Sequence, residues 1–141
     1  MPVKRTIICS GEGLRYEYTA GAAISPGDLV IINSSGAAVV HATAGGATAP
    51  LFAIENEIFG KGVDSDYAAN DRVLTEACHS GMGVNVNIAA AAAAIVVGDG
   101  LESAGNGTMR KLAAGTRIAT AEEAVDNSGS GTDTRIRARI D

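Results

Sequence analysis

The chain contains no tryptophan, and only three tyrosines and two phenylalanines in 141 residues. A core cannot be organised around large rings, so it must come from Val, Ile, Leu and Ala. Two cysteines cannot make the disulfide framework of a small secreted domain. Cys9 and Cys78 are expected to be reduced, buried and apolar in character. Histidine is also scarce. His41 and His79 belong to no H-E-x-x-H or C-x-x-C pattern, which argues against a zinc site. Cys78 and His79 are adjacent, so on a strand they point to opposite faces and form no dyad. Each histidine reads as a surface or structural residue.

Basic residues are outnumbered, 11 against 16 acidic, for a net charge of −5. This disfavours general nucleic-acid binding, which needs a basic footprint. The longest apolar run, Ile88 to Val97, is ten residues, too short to cross a bilayer. The start, Met-Pro-Val-Lys-Arg, leads into a strand rather than a secretory apolar region. Gly11-Glu12-Gly13 and Gly98-Asp99-Gly100 lack the Lys-Ser/Thr of a phosphate loop. Asp64, Asp66 and Asp71 fit no EF-hand spacing and read as solvated turn carboxylates. No cofactor, metal, nucleic acid or membrane is expected as a partner.

Glycine is abundant, at 18 residues, and turn signals recur between short apolar runs. No segment sustains a helical period. The reading is all-β: a β-sandwich, a β-tulip-like fold or a small barrel. Residues 1–15 read as an N-terminal strand or extended arm, and 16–141 as a single β domain. Small core side chains bury little area each, at roughly 25 cal/mol per Å², so self-association is a reasonable way to add burial.

Several stretches show their faces. Arg15 to Thr19 alternates, with Tyr16 and Tyr18 on one side, as a half-buried strand or an anchor for a partner. Leu29 to Ile32 reads as a strand buried on both faces. Glu55 to Asp66 reads as an exposed loop whose apolar tip, Ile58-Phe59, either tucks under the sheet or meets a neighbour. In Val84 to Ile88 the valines and isoleucine face inward, and Asn85 and Asn87 outward. The six alanines from Ala89 are compatible with a helical turn, although too few to hold a helix alone. Arg117 to Val125 suits a strand or a short helix. In Thr134 to Ile140, Arg135, Arg137 and Arg139 line one face and Ile136, Ala138 and Ile140 the other. That stripe is a solvated face or one that pairs with acidic residues of a neighbouring subunit.

One pattern occurs twice. Ser25-Pro26-Gly27-Asp28 is a tight-turn sequence: proline presets φ and glycine reaches positive φ. Shifted by 71 residues, Gly27-Asp28 falls on Gly98-Asp99, Ala22-Ala23-Ile24 on Ala93-Ala94-Ile95, and Asn56 on Asn127; nine of the thirty-five positions from 22 to 56 are identical. Alanine and glycine are common enough to supply part of this. The Ile-x-x-Gly-Asp core points to an internal repeat, 22–56 on 93–127, hence two related β-units. Pro26, Gly27, Asp28, Gly98 and Asp99 are then structural corners, with Asp28 bonded to its own turn.

Four motifs carry a family resemblance. They are Pro26-Gly27-Asp28-Leu29-Val30, Val97-Gly98-Asp99-Gly100-Leu101, Gly107 to Gly115 with its Leu-Ala-Ala-Gly end, and Ala121 to Ile140. In that order and spacing, from about Ser25 to the C-terminus, the chain resembles the decoration (cement, head-stabilising) proteins of tailed-bacteriophage capsids. The resemblance implies a non-catalytic structural protein, made in the host cytoplasm and placed on the outer surface of the virion. It implies a homo-oligomer, a trimer, bound to the major capsid protein, with an N-terminal arm over the capsid or a neighbouring subunit. Val3, Lys4, Arg5, Ile58, Phe59, Arg135, Arg137 and Arg139 are the candidate subunit or capsid contacts. A second reading is a virion-surface binding module, a fibre base or adhesin-like domain for a glycan or host surface. A lipoyl-type carrier domain would need a modified lysine at a hairpin tip; Lys61 is the one candidate, and it lacks flanking methionines.

Overall fold

A computed structural model describes residues 4–141. The fold is all-β. After a short strand β1 (Ile8–Ser10), ten strands follow: β2 (Leu14–Thr19), β3 (Val30–Ile32), β4 (Ala38–Val40), β5 (Leu51–Ala53), β6 (Arg72–Ala77), β7 (Gly83–Ile88), β8 (Gly100–Gly105), β9 (Thr108–Lys111), β10 (Ala119–Ala121) and β11 (Thr134–Ile140).

The strands form two rings with one pairing scheme. In the first, β2 pairs with β6, β6 with β5, and β3 with β4, all antiparallel. Single bridges complete it: Leu29 to Phe52, and a parallel bridge from Ala20, after β2, to Ala38 of β4. In the second, β7 pairs with β11, β11 with β10, β10 with β8, and β8 with β9. A parallel bridge, Ile88 to Met109, closes it on β7. Each unit is a small five-stranded barrel.

The repeat extends to individual hydrogen bonds. Asp28 N–H donates to Ser25 O, and Asp99 N–H to Val96 O. Gly27 N–H donates to Ala53 O, and Gly98 N–H to Ala121 O, both at 2.8 Å. Gly27 and Gly98 share φ +94, a value that favours glycine because it has no Cβ to clash. These bonds also correct the ungapped overlay. Ala53 corresponds to Ala121, 68 positions on, and not to Ala124. The 71-residue frame therefore ends before β5, and the Asn56/Asn127 identity does not mark equivalent places.

The first barrel is filled by small side chains, including Ala20, Ile24, Val30, Ala38, Ala53 and Val73, with Tyr67. The second core is larger. It joins the interior of the second barrel (Val84, Val86, Ile88, Leu101, Met109, Ile136) to side chains from the outer wall of the first (Leu29, Phe52, Ile54, Leu74). Alternation along one strand produces this division: Leu29 enters the shared core and Val30 the first barrel. Burial on both faces ends there, since Ile31 is half-buried and Ile32 exposed.

Other expectations need correction. Asn85 and Asn87 point out of the second barrel but are buried, because the N-terminal segment lies on Asn85 and the first barrel's corner on Asn87. Asn87 Nδ2 donates to Pro26 O (3.1 Å) and Asp28 Oδ1 (2.9 Å), and Asn85 Nδ2 to Thr6 O (2.7 Å). The alanine run is not helical: it turns, with Ala91 at φ +58. Arg117 to Val125 contributes the strand β10. Cys9 is exposed, whereas Cys78 is buried, and both are free thiols. The N-terminal segment is not an extended arm from Lys4 onward. It lies against its own chain, with Ile7 fully buried and β1 paired to β7.

Candidate interaction surface

β2 alternates Leu14, Tyr16 and Tyr18 with Arg15, Glu17 and Thr19. Along its length it pairs with β6 on one edge; β4 meets the chain beyond its end, at Ala20. With no strand over the rest, β2 is more open than the alternation predicts. Leu14 and Tyr16 are exposed and Tyr18 is half-buried. The two tyrosine rings stack with centroids 6.2 Å apart.

The segment after β5 sets a second feature beside this strand. Glu55 turns inward and accepts the Ile7 N–H at 3.1 Å. A 3₁₀ turn, Glu57–Phe59, follows and stops at Gly60, φ +69, whose N–H returns to Glu57 O. Arg15 anchors the turn: its Nη1 is 2.8 Å from Glu57 Oε1 and its Nε 3.3 Å from Glu76 Oε1. Glu76 also accepts the Gly13 N–H. Ile58 and Phe59 therefore project, 68% and 74% exposed. The chain then folds back: Val63 and Tyr67 are buried, and Tyr67 donates to Ile54 O at 2.6 Å. The apolar tip does not tuck under the sheet. Beside it a cleft of about 550 Å³ separates the N-terminal segment from β2, with Glu12, Glu55, Glu57 and Glu76 around Arg15. Among the described residues, no group of three or more His, Cys, Asp or Glu side chains is placed to hold a metal ion.

The other candidate contacts divide. Val3 lies outside the described residues. Arg5 is exposed. Lys4 is largely buried in an ion pair with Glu123, so it is a tether rather than a free contact. Burial would raise the Glu123 carboxyl, but Lys4 and the Arg137 N–H bring it below its ordinary value. Arg137 and Arg139 are exposed on the β11 face. Arg135, on that same face, is not available to a neighbour. Its guanidinium donates to Val63 O (2.6 Å) and Pro26 O (3.2 Å) and pairs with Asp64 (2.9 Å). The first barrel covers that end of β11, which removes Arg135 from the solvated stripe.

The two corners differ in surroundings. Asp28 accepts the Ser25 N–H at 2.9 Å, and Asp99 the Val96 N–H at 2.9 Å. Burial pushes the Asp28 carboxyl up to about 6, against its bonds from Asn87 and Ser25. Asp99 goes the other way: the Val96 N–H, with Lys111 at 3.2 Å, holds it below its ordinary value.

His41, Ser103 and Glu102 are occupied internally, whereas the Cys9 thiol is exposed. His41 Nδ1 lies 2.7 Å from Ser103 Oγ, which also accepts the Gly105 N–H. Burial lowers the His41 pKa. Ser103 is fully buried and His41 nearly so, so this serine–histidine pair joins the barrels and is closed to a substrate. Glu102 is also buried. Burial would raise its pKa, but Arg110 (2.9 Å) and the Gly115 N–H (2.7 Å) bring it below the usual range. Sequence reasoning missed Ser103, Glu76 and Glu102, because their partners are distant or local backbone groups that no spacing marks.

No protein-family model matches the chain. No curated protein matches it in sequence.

Proposed function

We propose that this is a structural virion protein that decorates the outer surface of a tailed-phage capsid and bridges major capsid subunits. It acts as a homo-oligomer, a trimer in the simplest form, without catalysis. The observation that carries this reading is the projecting Ile58-Phe59 tip, beside the open strand β2 and linked to it by the Arg15–Glu57 ion pair. Adjacent large apolar side chains exposed to solvent mark contact surfaces, and a cement protein needs such a surface rather than a reactive pocket. The internal occupation of His41, Ser103 and Glu102 agrees with a load-bearing role.

The test first looks for a major capsid gene in the neighbouring reading frames, whose absence would count against the reading, and then uses expanded heads assembled from its product. The wild-type chain should co-sediment with them. A double variant, Ile58→Ser/Phe59→Ser, should bind at least about tenfold more weakly, as expected for losing two apolar anchors, with an unchanged melting temperature. A wild-type chain that fails to co-sediment overturns the reading. A clear hit on a glycan array would favour the adhesin-like alternative.

A further inference from the structure

The barrel–barrel contact inside the chain has two halves, and each half has a counterpart that is uncovered. The first half is the corner Ser25–Asp28. Its counterpart is Val96–Asp99, as the matched hydrogen bonds establish. The second half is the outward side of β7 and β11. The bridges Ala20–Ala38 and Ile88–Met109 equate Ala20 with Ile88. Thr19 then corresponds to Asn87, and Glu17 to Asn85. Thr19 pairs across the sheet with Arg72, as Asn87 does with Arg135. Arg72 is thus the first barrel's version of Arg135.

Within the chain these halves close on each other. Asn87 holds Asp28 and the Pro26 carbonyl, the Gly27 carbonyl accepts the Asn87 N–H, and Arg135 grips the Pro26 carbonyl. A Cβ on Gly27 would stand 2.9 Å from Asn87 Oδ1, whereas one on Gly98 would meet nothing within 4 Å. The unused halves lie open. Val96 and Val97 are 57% and 65% exposed. Glu17 and Thr19 are exposed, and the Arg72 side chain is 62% exposed, with one long 3.9 Å contact to Glu17.

We propose that a second copy of this chain fills them: the β2–Arg72 side of one copy docks on the Val96–Asp99 corner of the next, repeating the internal barrel contact between molecules. The chemistry is matched. The Thr19 hydroxyl can donate to Asp99 where Asn87 Nδ2 donates to Asp28. Arg72 can reach the Val97 carbonyl as Arg135 reaches that of Pro26. The strand half presents the Arg72 cation and the corner half the Asp99 carboxylate, so opposite charges meet across the contact. Such a contact is head-to-tail, and head-to-tail contacts either close into rings or grow without limit. A closed ring of three chains would be a cycle of six barrels. The proposal does not rest on capsid binding, and its test uses the isolated protein.

Two surface substitutions disable opposite halves: Arg72→Glu on the strand side and Val97→Glu on the corner side. Native mass spectrometry and sedimentation velocity at tens of micromolar should show the wild type as a closed oligomer and each variant as a monomer. Mixing the variants in equal amounts restores one intact contact per pair, so a heterodimer and nothing larger should form. A monomeric wild type, variants that keep the wild-type mass, or a mixture that stays monomeric would each overturn the proposal. Should either charged variant unfold, the double variant Thr19→Cys/Val97→Cys in a Cys9→Ser background decides. Mild oxidation should give intermolecular disulfides that link chains in series; failure to cross-link overturns the proposal. Cys78 stays out of this reaction, since burial pushes its thiol up to about 12.

Discussion

At the residue scale, Asp28 shows how one turn gives two chemistries. The Ser-Pro-Gly-Asp corner and its echo make the same carboxylate-to-backbone bond. Covering by the second barrel separates them. The folded pKa of Asp28, about 6, lies above its ordinary 3.8. The folded chain keeps a proton that the unfolded chain releases between those values. Its contribution to stability is therefore fully present below 3.8 and is lost as pH rises to about 6. The loss should total about 3 kcal/mol, at 1.36 kcal/mol per unit. Urea unfolding of the wild type and Asp28→Asn across this window checks it: the wild type's stability relative to the variant should fall by about 3 kcal/mol as pH rises, and a constant difference would refute the shift. The corner itself was legible, because Pro-Gly-Asp has turn chemistry. The burial was not, because it depends on Asn87, 59 residues away.

At the element scale, β11 separates what alternation reveals from what it hides. Its period of two places Ile136, Ala138 and Ile140 in the core as the sequence indicates. The arginine face looks uniform in sequence, but only Arg135 lies under the first barrel. Arg135→Ala removes charge-assisted bonds to two carbonyls and should cost about 2–3 kcal/mol. Arg137→Ala and Arg139→Ala should stay within about 0.5 kcal/mol of wild type. Thermal unfolding monitored by far-ultraviolet circular dichroism distinguishes them, and equal costs would refute the assignment. β7 misleads for the same reason. Its asparagines look solvent-facing, but Asn87 bonds to the first barrel's corner and Asn85 to the backbone of the N-terminal segment. β2 carries the reverse lesson: its tyrosines alternate alike, yet Tyr18 is half-buried and Tyr16 exposed, with no strand among the described residues over the open edge.

At the scale of the whole molecule, the barrels share a core. Phe52 and Leu29 come from the first and pack with Val84, Val86 and Leu101 of the second. Unfolding should be a single transition, with calorimetric and van't Hoff enthalpies in agreement. Phe52→Ala, at a fully buried site, should lower stability by about 3–5 kcal/mol and move that one transition intact. Two resolved transitions would show that the barrels are independent. The likeness of the two corners showed in their spacing, but the loop lengths before β5 and β6 differ between the units, so an ungapped comparison lost the register there.

The placement of the N-terminal segment also has a consequence for time. Ile8 pairs with Val84, and Lys4 with Glu123, 119 positions along. This segment thus takes its partners far along the chain, and the ring pairs β2–β6 and β7–β11 span about fifty residues or more as well. Chains dominated by such distant pairings search slowly, because loop closure comes before its reward. Closing these distant pairs should therefore limit the folding rate, which stopped-flow refolding measures.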